Sequence, residues 1–231
     1  MIHTSKPLHS DSQVQAVEPE KHPVASSNDR HLDWAMRLQS LAQTGLAYCR
    51  DPYDRERYEQ LRVIAAEMAA FRTGVPEERV RDVFCNDSGY QTPKVDTRAA
   101  IFEDGRLLLV HEANGTWSLP GGWCDVDQSV ASNTVKEARE ETGLEVVAER
   151  LIAVEDWRRH NVRNYAYGVV KIFVLCRPVG GAFRENIETT ETALVTRDDL
   201  PGNLAVEKTT REQILMCFDA AEDPFWRTRF D

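Results

Sequence analysis

Three glutamates lie at i, i+3 and i+4: Glu137, Glu140 and Glu141, within residues 119–144, LPGGWCDVDQSVASNTVKEAREETGL. On a helix they share one side, where like charges cost about 0.2–0.5 kcal/mol per pair. Something positive should therefore sit above them. Hard divalent cations take carboxylate and carbonyl oxygens, and Mg²⁺ is commonly held by a few carboxylates together with substrate phosphates. The cluster fits a Mg²⁺ or Mn²⁺ site. A merely solvated acidic face is the plainer alternative. Against it stand the Gly121-Gly122 pair one loop upstream, Gly143 directly past the cluster, and local counter-charge from only Lys136 and Arg139.

Two local elements must position those carboxylates. Pro120-Gly121-Gly122 forms a loop able to take backbone angles closed to other residues. A helix then runs to Gly143, with Ala131, Val135, Ala138 and Thr142 at i, i+4, i+7 and i+11 as the face that packs on a sheet.

These residues resemble the Nudix hydrolase family, whose box is G-x5-E-x7-R-E-U-x-E-E-x-G-U, with U aliphatic. Laid on this chain the box begins at Gly122, puts metal-binding glutamates at Glu137, Glu140 and Glu141, and closes on Gly143-Leu144. Three positions depart. Gln128 replaces the first glutamate and so removes a carboxylate, Lys136 replaces the arginine, and Ala138 is a small version of the aliphatic residue. Lysine offers a point charge where arginine offers a planar fork. The resemblance further implies the Gly121 carbonyl as a metal ligand and a base or last ligand from a downstream loop, here residues 186–191. Glu188 is preferred to Glu191 because the subgroup shows an E-T pair twelve residues before a Leu-Pro, as Glu188-Thr189 stands to Leu200-Pro201. Catalytic roles then fall on Glu140 and Glu188.

Composition bounds the rest. A chain of 231 residues with 42% hydrophobic content can bury a sizeable core, and a net charge of −10 argues against a nucleic-acid footprint. Acidic substrates must then be met through metals. The five cysteines are scattered with no C-x-x-C pair, as expected of reduced thiols in a cytoplasmic protein. No hydrophobic run suits a signal peptide or a membrane span.

In chain order, residues 1–30 carry no apolar period and read as a disordered tail. Residues 31–84 read as a helical domain. Trp34, Leu38, Leu41, Ala42 and Leu46 form one stripe, Asp51-Pro52 supplies a cap, and Tyr58, Leu61, Ile64, Ala65, Met68 and Phe71 form a second. Such a hairpin is too small to bury both stripes alone. Its sequence also resembles the N-terminal helical module of a bacterial Nudix subgroup acting on nucleoside diphosphates linked to another group, ADP-ribose and CDP-choline among them. That likeness implies a homodimer.

Residues 85–231 carry the catalytic pattern. Strands are expected at 95–102 and 107–111 around Asp104-Gly105, then at 145–154, 165–176 and 191–195, with a closing helix at 206–219. Composition alone gives α/β or α+β; the resemblance implies an α/β/α sandwich around a mixed sheet. Arg98 is a candidate contact for a substrate phosphate, with an ordinary surface arginine as the alternative. Trp117, Trp123 and Gly122 lie at the glycine loop, where Trp117 and Gly122 are the candidate substrate contacts and core packing is the alternative for both tryptophans. His160 belongs to a polar loop expected near the substrate entrance. The activity so implied is metal-dependent cleavage of a nucleoside diphosphate derivative into a nucleoside monophosphate and a phosphorylated remainder. A nucleoside triphosphate hydrolase shares the same glutamates, and a nucleotide sensor without catalysis would use the weakened box.

Overall fold

Alternation along one strand decides how the chain is layered. In a computed structural model describing residues 30–85, 87–162, 167–186 and 188–231, β1 (Lys94–Glu103) sends Ala99 and Ile101 to one side of a sheet. Ala100 and Phe102 go to the other. The first side packs on α4 (Val130–Thr142) through Ala138, and the second on α6 (Arg211–Glu222) through Ile214, Cys217 and Phe218. The expected α/β/α sandwich with a mixed sheet is what these two cores build.

The sheet runs β3-β2-β1-β6-β5-β8, with β4 added on β1 and β7 on β2. Its members are β2 (Arg106–Glu112), β3 (Trp117–Ser118), β4 (Gly121–Trp123), β5 (Leu144–Asp156), β6 (Val169–Gly181), β7 (Thr189–Val195) and β8 (Arg229–Phe230). β1 is parallel to β6 and antiparallel to β2 and β4, while β5 is antiparallel to β6. Asp104 and Gly105, both at positive φ, turn β1 into β2 as the Asp-Gly pair predicts.

Several boundaries differ from expectation. The closing helix starts at Arg211 because Thr210 and Gln213 form a capping box there, so residues 206–208 are a turn and Thr210 is the extended cap. The expected polar loop around His160 contains a helical turn, α5 (Trp157–His160), whose Trp157 is fully buried. On α4 the inward positions are Asn133, Thr134, Ala138 and Thr142, while Ala131 is exposed. The helix enters from the glycine loop at an angle that lets Asn133 bond Thr97 of β1. Residues 165 and 166 of the expected strand, and the tail but for Arg30, lie outside the described residues.

The N-terminal module has three helices where two were expected: α1 (Arg30–Tyr48), α2 (Pro52–Thr73) and α3 (Glu77–Phe84). Asp51 caps α2 by accepting from the backbone nitrogens of Tyr53 and Asp54 at 2.8 and 3.1 Å, and Pro52 begins the helix. The expected stripes face inward only in part: Ala42 and Ala65 are fully buried and Leu38 and Met68 pack against the core, while their larger neighbours turn out. Ala35 of α1 packs against Ala65, Ala66 and Ala69 of α2, with Val80 and Phe84 of α3 closing the cluster. Alanines let the helix backbones approach closely, and this close contact turns the larger side chains out. Trp34 is 47% exposed, Leu41 64%, Ile64 46% and Phe71 93%.

Candidate active site

The glycine loop is fastened to β1 before it meets the acidic helix. Thr97 pairs with Gly122 and Arg98 with Gly121, and the Ala99 nitrogen donates to the Pro120 carbonyl at 2.8 Å. Gly121 has φ +142°, and a Cβ there would collide with the Thr97 carbonyl, so no other residue fits. A Cβ on Gly122 would lie 2.8 Å from Glu137 Oε2. The missing side chains are what allow α4 to bring its carboxylates up to the loop.

Ser129 caps α4 in a capping box, and Gly143 ends it in the left-handed conformation at φ +73°. Between those stops, Glu141 accepts from the Gly121 nitrogen through Oε2 at 2.9 Å. Burial pushes the Glu141 carboxyl up to about 7, against the pull of Arg98. Burial also raises Glu137, with Lys136 opposing. Lys136 lies within 3.1–3.2 Å of Asp125, Glu137 and Glu140, whose hydrogen bonds hold the ammonium charged. The positive group demanded by the like-charge spacing is thus partly Lys136. Glu140 itself stays exposed on the helix surface.

Among the described residues no three His, Cys, Asp or Glu side chains converge tightly enough to encircle an ion. Glu141 is drawn to the loop while Glu137 and Glu140 are drawn to Lys136, which holds the expected cluster apart. The donors nonetheless fit a hard divalent cation in kind: they are carboxylate oxygens, two of them raised by burial that the nearby Lys136 and Arg98 only partly offset.

Behind the loop lies a buried charged network. Arg98, only 3% exposed, makes a fork to Asp96 at 2.8 and 2.7 Å and donates to the Leu119 carbonyl at 3.1 Å. Lys171 of β6 reaches the same Asp96 at 3.2 Å. Burial alone would raise Asp96, but Arg98 and then Lys171 hold its carboxyl below the ordinary value, while burial and then Arg98 bring Lys171 down to about 8. Nearby, Glu112 accepts from Lys208 at 2.7 Å and from Ser118 at 2.8 Å.

The downstream loop is tied to the same helix. The Asn186 amide donates to the carbonyls of Glu140 and Glu141, both at 3.1 Å, and its oxygen accepts from the nitrogens of Glu188 and Thr189 at 3.0 and 2.9 Å. Glu188 is therefore carried on a turn stapled to the C-terminal end of α4, whereas Glu191 pairs with His111 in the β7–β2 ladder. Trp117 packs on the α6-side core with its ring 4.7 Å from that of His111, and Trp123 is 39% exposed.

Sequence reasoning did not find Asp96, Lys171, Asp125 or Asn186. An Asn followed two and three residues on by the start of a strand is a signature of an Asx turn, and it marks Asn186. The Asp96–Lys171 pair joins positions 75 residues apart and leaves no local trace. Gln128 makes no side-chain hydrogen bond among the described residues, while Asp125 beside it contributes a carboxylate through Lys136. Gln128→Glu should therefore shift Mg²⁺ affinity by less than about tenfold, or ~1.4 kcal/mol, and leave the products unchanged in a metal titration of turnover. A large gain in turnover would mark the natural protein as a weakened member and favour the sensor alternative.

With this geometry in place, the chain belongs to the Nudix hydrolase family. The model of the Nudix domain matches residues 92–215, and that of a UDP-X-like N-terminal oligomerisation domain matches residues 29–84. The chain is 40% identical to a putative ADP-ribose pyrophosphatase of Bacillus subtilis over 87% of this chain and 96% of that one. A crystal structure of an ADP-ribose pyrophosphatase from Streptococcus suis shares 51% identity, covers 61% of this chain and all of that one, and superposes with a TM-score of 0.57. A UDP-X diphosphatase structure shares 34% identity across 87% of this chain and 98% of its own, also with a TM-score of 0.57.

Proposed function

We propose that this Nudix pyrophosphohydrolase depends on Mg²⁺ or Mn²⁺ and cleaves the diphosphate bond of an ADP-ribose-like or CDP-choline-like nucleoside diphosphate derivative. The products are a nucleoside monophosphate and a phosphorylated remainder. The observation that carries this is the seating of Glu141 on the Gly121 nitrogen, which puts a desolvated carboxylate of the acidic helix directly beneath a glycine loop. The similarity to a putative ADP-ribose pyrophosphatase and to a UDP-X diphosphatase supports the substrate class.

Glu137, Glu140 and Glu141, with the Gly121 carbonyl, would hold the cation. When bound, it supplies neutralisation of the diphosphate oxygens and a water acidic enough to ionise near neutral pH. Glu188, on its stapled turn, accepts the proton of the attacking water. Gly122 leaves room for a phosphate to approach the loop backbone, and Trp117 borders that approach. Arg98 has the role of a positioning residue: its donors go to Asp96 and Leu119, so it fixes the loop instead of meeting substrate. The test is a panel of nucleoside diphosphate derivatives and triphosphates with purified protein and Mg²⁺ or Mn²⁺, read as released phosphomonoester. Preference for triphosphates would replace this reading.

The protein is further assigned to the cytoplasm as a homodimer that binds neither nucleic acid nor membrane. Among the described residues no helix is long and apolar enough to cross a membrane. The outward Trp34, Leu41, Ile64 and Phe71 support the dimer, since burying each large apolar side chain is worth about 1.5–3 kcal/mol. Deleting residues 1–29 should leave the assembly intact, whereas deleting 1–84 should yield monomers, both read by light scattering. A wild-type chain that is monomeric at micromolar concentration would remove the dimer and leave the hydrolase reading standing.

A further inference from the structure

On the α6 side of the sheet, strand register lines up a row of charged residues. Glu155 of β5 stands opposite Lys171 of β6, Lys171 opposite Asp96 of β1, and two positions along β1 Arg98 stands opposite Gly121. Asp96, Lys171 and Arg98 satisfy one another. Glu155 does not join them. Among the described residues its one hydrogen bond comes from Gln213 Nε2 to Oε2 at 2.8 Å, it has no ion pair, and it is only 7% exposed.

Gln213 is itself locked. Its oxygen accepts from the Thr210 nitrogen at 2.9 Å and from Asn161 Nδ2 at 3.2 Å, and its nitrogen also donates to Asn161 Oδ1 at 2.9 Å. The amide thus holds Glu155 in one orientation, on the wall of a cavity of about 710 Å³. One neutral donor does not offset the burial of a carboxylate, which normally needs a charged partner or several hydrogen bonds. A ligand that donates would complete it.

The remaining walls narrow the ligand. Met216 and Phe230 give an apolar surface and Thr210 and Thr228 further polar groups; of the charged lining, Arg159 and His160 face Asp231 at 4.0 and 3.1 Å, Arg229 lies 4.5 Å over the Trp226 ring, and Glu212 adds another carboxylate. Three carboxylates stand beside two arginines that are already engaged, so the walls call for a neutral donor-rich group and not for an anion. A sugar meets the two needs that remain: paired hydroxyls for the carboxylate and a ring face for the apolar side. Counting about 4.8 Å per step from β5 through β6 and β1 to β4, Glu155 lies roughly 14 Å across the sheet from Gly121, a distance that a sugar joined through a diphosphate at the glycine loop can bridge.

We propose that this cavity holds a pentose of the substrate, with Glu155 accepting hydrogen bonds from its vicinal hydroxyls. This rests on the reading of the substrate as a nucleoside diphosphate derivative. The pentose is either that of the nucleoside or that of the second moiety. Calorimetric titration of the full chain, with and without Mg²⁺, separates the two by comparing AMP with 2′-deoxy-AMP, and ribose 5-phosphate with 2-deoxyribose 5-phosphate. Loss of the hydroxyl should weaken one pair by about ten- to hundredfold, as expected for hydrogen bonds to a charged group. In Glu155→Gln that preference should shrink to within a few-fold.

Preference in the first pair identifies the nucleoside ribose, and in the second the sugar of the other moiety; both support the proposal. Equal binding within both pairs, or no binding of any, overturns it in the wild-type protein, whether or not the variant folds. A preference that persists undiminished in folded Glu155→Gln overturns it too. Since the readout is binding, a failure here alongside positive hydrolysis of the substrate panel leaves the proposed function intact. A positive result alongside a negative panel removes the function and keeps the sugar site.

Discussion

Glu141→Gln should lower turnover by about 10²–10³-fold, the scale seen when a preorganised polar group at a reacting centre is removed. The substitution keeps the shape of the side chain and its contact with the Gly121 nitrogen. It removes a charge that burial already disfavours, since the carboxyl stands at about 7 in the folded chain. Thermal unfolding in the presence of chelator should therefore show a metal-free fold as stable as wild type or slightly more so. Phosphomonoester release checks the rate. A variant with near-full metal-dependent activity would sink the assignment of α4 as the catalytic helix.

The second large effect is on stability. Arg98→Met should cost about 3–5 kcal/mol, the range for breaking a buried ion pair by removing one partner. Asp96 would keep only Lys171, at 3.2 Å, and the Leu119 carbonyl would lose the donor that Arg98 gives it. Arg98→Lys should recover part of the loss, because an ammonium restores the charge but not the fork. Urea unfolding of both variants measures this. A loss under about 1 kcal/mol for Arg98→Met would mean that Lys171 alone compensates Asp96, and the positioning role of Arg98 would fall with it.

What could be read in advance follows from the range of the forces. The glycine loop, the carboxylate spacing and the stop at Gly143 are encoded within 26 residues, and glycines at positive φ leave an unambiguous mark. The Asp104-Gly105 turn is equally local. The helical module was legible in kind and only partly in orientation. Ala42 and Ala65 of the two stripes are buried as expected, but Ala35, Ala66 and Ala69 share the inward face in place of the larger Trp34, Leu41, Ile64 and Phe71, because small side chains let the helices meet. The third helix leaves little trace because eight residues reading EERVRDVF offer only three apolar positions, of which Val80 and Phe84 reach the core. The Glu155–Lys171–Asp96 row is set by strand order alone, which no stretch of sequence announces.

The staple made by Asn186 also constrains how the enzyme can be rebuilt. Its amide spans two segments more than 40 residues apart, so the turn bearing Glu188 and the end of α4 shift together as one rigid unit. The chain just before Asn186 belongs to the same unit, because the backbone of Ala182 and Arg184 lies against Gly143 at the end of α4 and the Arg184 carbonyl accepts from Asn186 at 3.5 Å. One residue inserted between Asn186 and Glu188 uncouples it, and the downstream carboxylate then samples positions unrelated to the helix. A library built on this scaffold should hold Ala182, Arg184, Asn186, Glu188 and Thr189 fixed as the proposed support of the site and place its diversity in other loops.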